Sequence, residues 1–455
     1  MSPVSSTSNP IRNHALIWLG LFLLLFMPYA TFVLQATRHL LDILGAPLGR
    51  TAVLITMGWK ELILGVLVVC VLVYILRYRR LPFQMHVMDW LMLLFMAYGV
   101  IVGGAIVYSG KSLVFGFRYD FAVFTFYLIA RCFWSNYESL LRLLKILAIA
   151  ALPMILFGLA QVFLLPRTFL EHFGYSSVVQ AGGNPLLPYH LIGNSLVRAM
   201  STFPGPNSLA MYAGFLLLIL FFFGRRWWSR RWWLVDLALI SIVLITTYSR
   251  GHILSLIVGA VVYVIARFHV LQRSACRLRT VVLTFFFCAI SAGLLLSLIS
   301  IPNQDNAPTI QALIFHNSSS VLHRNARLDA WDHIRKHPWG TGLGTSGLAT
   351  TNTGGRVLNP ESWYVQVTQE FGWLGLALAL VVIGSILTWL ISQYVAQKDP
   401  QQQRLTLFFL VSFIAVATSA QFLPSWFEVG SITWWLLFGL YVSNVDRQIT
   451  TSSTP

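Results

Sequence analysis

The chain has 455 residues, of which 57% are hydrophobic and only 10% are charged, and its mean hydropathy is +0.71. This balance excludes a soluble globular protein and indicates a polytopic membrane protein that lies in a lipid bilayer. The net charge of +16 comes from basic residues scattered between apolar runs, which follows the positive-inside rule and argues against a nucleic-acid partner.

Apolar runs of about 20 residues can cross a bilayer as helices, because a helix satisfies its own backbone polar groups. The sequence therefore predicts an all-α fold, one integral membrane domain over residues 1–455, with about twelve transmembrane helices. They lie at roughly 14–34, 52–76, 87–108, 113–134, 143–165, 207–223, 234–249, 252–268, 280–301, 371–395, 405–422 and 430–444.

The distribution of basic residues predicts the orientation of these spans. The even-numbered connections contain many of them, Arg131 and Arg142 included, whereas the short outer connections contain almost none. Both termini are therefore expected in the cytoplasm. The same topology places segment 166–206 and the large loop 302–362, between helices 9 and 10, in the periplasm. The Ser/Thr-rich tail 446–455 is predicted to be disordered and cytoplasmic.

Three arginines fall where the positive-inside pattern does not require them. Arg118 lies inside the fourth span, where a charge costs ~3 kcal/mol on insertion scales. The structural alternatives for it are an internal ion pair with Asp120 or a side chain that snorkels to the membrane surface. Arg250 lies in a very tight outer turn, with a lipid headgroup contact as the alternative. Arg198 lies at the end of the outer segment 166–206 and could instead be a solvated loop charge.

Guanidinium groups bind pyrophosphate through forked, bidentate hydrogen bonds. If these arginines converge at the outer surface, they would hold a lipid diphosphate and stabilise it as a leaving group. No other pattern predicts a cofactor. Gly342, Gly344 and Gly347 match G-x-G-x-x-G, but no strand precedes them, which excludes a dinucleotide site. His333 and His337 lack the glutamate of a zinc-binding helix, so no metal is expected.

Four segments resemble the O-antigen ligase and polymerase superfamily. They are Pro206-Asn207-Ser208-Leu209-Ala210, Arg250 with Leu254 in an R-x3-L pattern, Arg327-x3-Trp331-x5-His337-Pro338-x-Gly340-x-Gly342, and Glu361-Ser362 followed by Gly372-x2-Gly375. Each is weak alone, but their order and their expected position on the outer face make the combination fairly specific.

This resemblance implies a metal-independent glycosyltransferase of the bacterial inner membrane, with its active site facing the periplasm. Its donor is an undecaprenyl-diphosphate-linked O-antigen, and in the ligase branch the acceptor is a sugar of lipid A–core, with inversion at the anomeric carbon. The resemblance implies that Arg250 and Arg327 bind the diphosphate; Arg198 and Arg118 are added from topology. An O-antigen polymerase, a protein O-oligosaccharyltransferase and a lipid or glycan flippase are the alternatives.

Two sequence features bear on these alternatives. Polymerases of the superfamily often carry an R-x10-G repeat in both long outer loops, and no arginine in 166–206 or 302–362 has a glycine eleven positions on. A flippase or transporter would place charges along a path through several spans, whereas here the polar residues gather on one face. The first feature favours a ligase over a polymerase, and the second argues against a flippase or transporter.

The fourth motif departs from the superfamily pattern. It begins there with a histidine taken as the catalytic base, and here the matching residue is Glu361. Glutamate is the weaker base, with an unperturbed pKa near ~4.3 against ~6.5 for histidine, although carboxylates do serve as general bases. Three explanations stay open: Glu361 is a natural substitute, it is an engineered change, or the base is His337.

Overall fold

The structure is a computed structural model. It describes residues 14–46, 49, 58–107, 109–133, 135–176, 187, 190–191, 196–268, 278–288, 317–350, 360, 362–422, 426 and 429–452. Much of the predicted span 280–301 and parts of the two predicted outer segments lie outside these residues, and so does Glu361.

The described residues are helical almost throughout, which confirms the predicted all-α class. The α-helices in chain order are α1 (His14–Ile43), α2 (Trp59–Tyr78), α3 (Val87–Ile106), α4 (Gly110–Arg131), α5 (Tyr137–Phe163), α6 (Pro206–Trp227), α7 (Arg230–Thr246), α8 (Arg250–Arg267), α9 (Leu278–Cys288), α10 (Asn317–Lys336), α11 (Trp363–Ala396), α12 (Pro400–Ser419) and α13 (Val429–Ser452).

Nine of these helices, all except α7, α9, α10 and α13, are long and apolar enough to cross a membrane. They make the chain a multi-pass membrane protein. Three further predicted spans coincide with α7, with α9 and with α13, which fall below that standard; α7 has only 17 residues, or about 26 Å of helix. Twelve spans and two cytoplasmic termini therefore stay predictions.

Helices α12 and α13 form the centre of the bundle. Their aromatic side chains stack on one another: the ring centroids of Phe409 and Tyr441 are 4.5 Å apart, and those of Phe413 and Trp434 are 5.1 Å apart. Helix α13 packs against the second half of α4, α8 packs against α12, and α11 packs against α3. Helix α2 exposes leucines and valines along most of its length, as a lipid-facing helix does.

Arg131 corrects one step of the orientation argument. The sequence counts it among the basic residues of an inner connection, whereas in the structure it ends α4 and its side chain is completely buried. Its guanidinium bonds to Asp89 on α3 and to Asp446 on α13, the latter at 2.6 Å, and His86 Nε2 lies 2.7 Å from Asp446. A buried charge of this kind is satisfied by partners rather than by water.

The same network corrects the prediction for the chain end. Helix α13 continues to Ser452. The prediction that residues 446–455 are disordered is therefore wrong for residues 446–452. Asp446 is buried against Arg131, and Arg447 donates to the backbone oxygen of Ser135 at 2.8 Å. Polar composition alone suggested a loose tail, whereas these long-range partners order it.

The segment before α6 is held in place by polar contacts. It contains a two-stranded antiparallel ladder, His190–Leu191 with Leu196–Val197, in which His190 lies opposite Val197. Further on, the Ser201 N–H donates to Gln161 Oε1 on α5 at 2.7 Å, and the Thr202 hydroxyl donates to the Pro28 oxygen on α1 at 2.6 Å. These contacts fix the backbone next to Arg198.

Candidate active site

Arg198 lies against the turn between α7 and α8. Its Nε donates to the Thr247 oxygen at 2.7 Å, and its Nη2 donates to Asn207 Oδ1 at 3.0 Å. The backbone N–H of Ala199 also donates to the Thr246 oxygen at 3.0 Å. Asn207 belongs to the first superfamily-like motif, and in the structure this asparagine orients the Arg198 guanidinium.

Arg250 is the first residue of α8 and is solvent-exposed. Only three residues separate α7 from α8, and Tyr248 takes a left-handed φ of 52° to allow the reversal. Because Arg198 bonds to Thr247, three positions before Arg250, the structure brings these two predicted arginines to the same turn. Two of the four predicted diphosphate ligands therefore lie at one end of the bundle.

The start of α8 can attract an anion in its own right. A helix N-terminus presents unbonded backbone N–H groups and a partial positive charge. Ser249 precedes the helix, but its side chain does not cap it, because its hydroxyl lies 2.8 Å from Nδ1 of the buried His252. The first-turn N–H groups thus add to the positive charge of Arg250 and Arg198.

His252 is a residue to which the sequence assigned no role. It is buried, and together with Ser255, Ser412 and Ser419 it lines a small cavity between α6, α8 and α12. Nothing in its spacing signals a function, since a lone histidine near a helix start is compatible with many environments. Its observed role is local, because it holds the Ser249 hydroxyl away from the helix end.

Gly251 and Phe422 join α8 to the end of α12. A Cβ atom on Gly251 would lie 2.7 Å from Cγ of Phe422, so only glycine lets the ring pack this closely. Two residues before Phe422, the Ala420 oxygen accepts a hydrogen bond from the N–H of Trp363 at 2.8 Å, at the start of α11. Residues 420–422 therefore hold the starts of α8 and α11 side by side.

Glu361 itself lies outside the described residues, but its neighbours do not. Pro360 and Ser362 are both buried, and Ser362 directly precedes α11. The described residues that flank position 361 are thus at the end of the bundle where Arg250 begins α8. The structure does not test Glu361 as the base.

Arg327 lies on α10, one turn before Trp331, and its side chain falls outside the described part of the chain. The helix is held against α11, where Ala330 and Ile334 are buried together with Val365. Near its end, Lys336 donates to Asp332 at 2.6 Å and lowers the pKa of that carboxyl, so this exposed face carries an ion pair at neutral pH.

His337 follows α10 in an exposed turn. Its N–H donates to the His333 oxygen and its own oxygen accepts from the N–H of Gly340, both at 3.0 Å, while the two histidine rings lie 4.8 Å apart. These contacts are those of a residue that ends a helix. They leave its role as the alternative base untested.

Arg118 has a different partner from the one considered for it. It lies in the π-helical turn Phe117–Phe121 of α4, and its Nε is 2.6 Å from Glu61 Oε1 on α2. The ion pair with Asp120 is therefore wrong, because residues two apart on a helix do not face each other. Asp120 instead accepts a hydrogen bond from Gln366 Nε2 at 2.9 Å on α11.

The comparison with protein families covers the part of the chain that carries this site. Residues 235–380 match the family model described as O-antigen ligase. The matched segment is consistent with the O-antigen ligase/polymerase superfamily. It contains Arg250, Arg327, His337 and position 361, whereas Arg118 and Arg198 lie before it. Among curated proteins, none matches the chain.

Proposed function

We propose that this protein is an O-antigen ligase. It transfers the glycan from undecaprenyl diphosphate to a sugar of lipid A–core, at the periplasmic face of the bacterial inner membrane, without a metal ion and with inversion. The observation that supports this most is the meeting of Arg198 and Arg250 at the uncapped start of α8, beside the start of α11. Both helix starts lie within the matched family segment.

In this proposal the arginines act on the leaving group. The bond between the anomeric carbon and the diphosphate oxygen breaks, and the released undecaprenyl diphosphate gains negative charge. Arg250, Arg198 and the first N–H groups of α8 stabilise that charge, and Arg327 on α10 adds a third guanidinium. We leave Arg118 out of the site, because Glu61 already offsets its charge.

The acceptor hydroxyl must lose a proton as it attacks, and we assign this step to Glu361. Glu361→Ala is expected to lower the transfer rate by about 10²–10⁴-fold, the usual contribution of a general base. Glu361→His is expected to lower the rate less than Glu361→Ala does, because histidine can also act as a general base. Initial rates with purified protein measure this. A fully active Glu361→Ala would remove the assignment, and a large loss in His337→Ala would move it to His337.

A far more active Glu361→His variant would favour the explanation that Glu361 is an engineered change. Sequencing the source locus at that codon answers this question independently.

The acceptor separates a ligase from its relatives with the same donor. Purified protein in proteoliposomes receives the lipid-linked O-antigen together with lipid A–core, free lipid-linked repeat units or a pilin peptide. We expect only lipid A–core to be extended. Elongated repeat units would make the protein a polymerase, a glycosylated pilin would make it a protein O-oligosaccharyltransferase, and donor crossing the bilayer without transfer would indicate a flippase.

A further inference from the structure

The segment between α10 and α11 contains a glycine loop, residues 338–347. Each glycine in this loop has a backbone conformation that favours glycine over other residues. All four have left-handed φ angles, +88°, +100°, +78° and +62° for Gly340, Gly342, Gly344 and Gly347. A Cβ atom on Gly344 would clash with the backbone oxygen of Ser112 on α4. The loop therefore lies against the membrane helices at close range instead of projecting into solvent.

Helix α11 is broken where this loop meets it. Gly372 has φ +68° and ψ −169°, which no helical residue adopts, and the break frees backbone groups of the preceding turn. The oxygens of Gln369 and Glu370 accept hydrogen bonds from the N–H groups of Thr341 at 2.9 Å and Gly342 at 2.8 Å. The loop thus supplies donors that the broken helix no longer provides.

The Glu370 side chain completes the attachment. It is fully buried, and its two carboxyl oxygens accept one backbone N–H each: Gly344 donates to Oε2 and Ser346 to Oε1, both at 3.0 Å. Next to it, the Ser346 hydroxyl donates to Gln369 Oε1 at 2.5 Å. One carboxylate therefore binds two successive parts of the glycine loop.

A second buried carboxyl supports the first. Asp120, in the π-helical turn of α4, lies beside Glu370 and accepts a hydrogen bond from Gln366 Nε2 at 2.9 Å. Two ionised carboxylates have only acceptors and repel each other, so we expect the neighbouring pair to share one proton and to carry a single negative charge. The two loop N–H groups and the Gln366 amide offset that charge inside the bundle.

We propose that Glu370 is a positioning residue for the transfer reaction and that Asp120 holds it in place. By keeping the glycine loop in the break of α11, Glu370 fixes α10, which carries Arg327, relative to the start of α11 beside position 361. The inference rests on the proposed ligase function. Misplacing a reacting group by about 1 Å costs on the order of 10²-fold in rate, so the expected effect is large.

Four variants test this assignment. Glu370→Ala and Glu370→Gln are expected to lower kcat about 100-fold, since an amide cannot accept both loop N–H groups. The KM for the lipid-linked donor changes within a few-fold, because Arg198 and Arg250 are held without the loop. Asp120→Asn should stay within a few-fold of the parent, since its amide can donate to Glu370. The control is Thr368→Val, a buried residue whose hydroxyl donates to the Tyr364 oxygen within α11 at 2.7 Å.

A second readout follows the loop directly. Thr350 lies just beyond the glycine loop and is 2% exposed, so Thr350→Cys, in a chain whose four native cysteines are replaced by alanine, should resist a membrane-impermeant maleimide. We expect labelling when Glu370→Ala is added and continued protection with Asp120→Asn or Thr368→Val. Retained helicity by circular dichroism shows that the variant is folded.

Several results would overturn the proposal. One is a folded Glu370→Ala protein with kcat close to that of the parent; another is a loop that stays protected in an inactive Glu370→Ala. Equal losses in Asp120→Asn and Glu370→Gln would also contradict it. If the parent transfers nothing to lipid A–core while the labelling pattern appears as expected, the ligase function fails and the attachment of the loop by Glu370 stands.

Discussion

At the residue scale, the positions of Arg198 and Arg250 in the proposed site depend on specific contacts of their neighbours. Asn207 and the Thr247 oxygen orient the Arg198 guanidinium, and Gly251 lets Phe422 pack next to Arg250. None of these neighbours carries charge or performs chemistry. They explain why polar and glycine positions accompany the arginines in the superfamily-like motifs.

The prediction at the residue scale concerns the transfer rate of Arg250 variants. Arg250→Ala should lower the transfer rate by about 10²–10³-fold, as loss of one preorganised donor to a developing charge does. Arg250→Lys should recover only part of it, because lysine keeps the charge but not the bidentate fork. Transfer from the lipid-linked donor by purified protein measures both.

The control is Arg226→Ala at the opposite end of α6, where an exposed ion pair with Glu138 at 3.2 Å is expected to contribute little. Equal losses at positions 226 and 250 would mean that the effect is not local to the site.

At the element scale, the ends of helices build the site. The start of α8, the start of α11 and the end of α12 meet at residues 420–422, and the break of α11 at Gly372 receives the glycine loop. Helix ends have unbonded backbone groups, so they can bind one another or an anion, which a continuous helix cannot do. The site therefore lies where the spans end.

Gly251 tests this arrangement. Gly251→Ala forces Phe422 away from α8 and is expected to lower activity about tenfold or more, with an overpacking cost of about 1–3 kcal/mol in stability. Gly384→Ala on α11 is the matched control, because nothing lies within 4 Å of its Cβ position. Alanine is the better helix former, so the control should be neutral or slightly stabilising. Thermal unfolding and initial rates on the same preparations give both numbers.

One result would contradict the prediction for Gly251. If Gly251→Ala unfolds and transfers like the Gly384→Ala control, the contact between α8 and α12 does not position Arg250. Adding Phe422→Leu to Gly251→Ala should restore part of the activity, since the smaller side chain leaves room for the methyl group.

At the scale of the whole molecule, one buried cation joins three parts of the chain. Arg131 connects α3 through Asp89 and α13 through Asp446, more than 300 positions further on, and Tyr127 donates to the other Asp89 oxygen at 2.7 Å. Such a network can add specificity to a bundle whose core is mostly apolar. It also orders the start of the segment that the sequence predicted to be disordered.

Removing this cation should destabilise the protein. Arg131→Ala leaves Asp89 and Asp446 buried without their cation, and an uncompensated buried charge costs about 3–5 kcal/mol in the free energy of unfolding. Thermal unfolding in detergent measures the loss. The exposed pair of Arg226 and Glu138 is again the reference, because breaking a surface ion pair costs about 1 kcal/mol or less. Equal shifts for Arg131→Ala and Arg226→Ala would contradict the network's role.

How far the site could be predicted differs from residue to residue. Arg250 stood out because a lone arginine in an outer turn departs from the positive-inside pattern, and its family-like spacing supported it. His252, Glu370 and Asp120 did not stand out, because their roles depend on the partners that folding brings to them. The ion-pair partner of Arg118 was predicted wrongly for the same reason, since Glu61 lies on another helix.

The sequence by itself determined that this protein is a helical membrane protein whose motifs resemble the O-antigen ligase/polymerase superfamily, since both the length of apolar runs and the spacing of motif residues are local properties. The tertiary structure decided which charges meet: Arg198 with the start of α8, Arg118 with Glu61, Arg131 with Asp446, and Glu370 with the glycine loop. Which charged residues meet depends on which helices pack together. The apolar faces of these helices have similar compositions, so the sequence alone does not show which faces are neighbours.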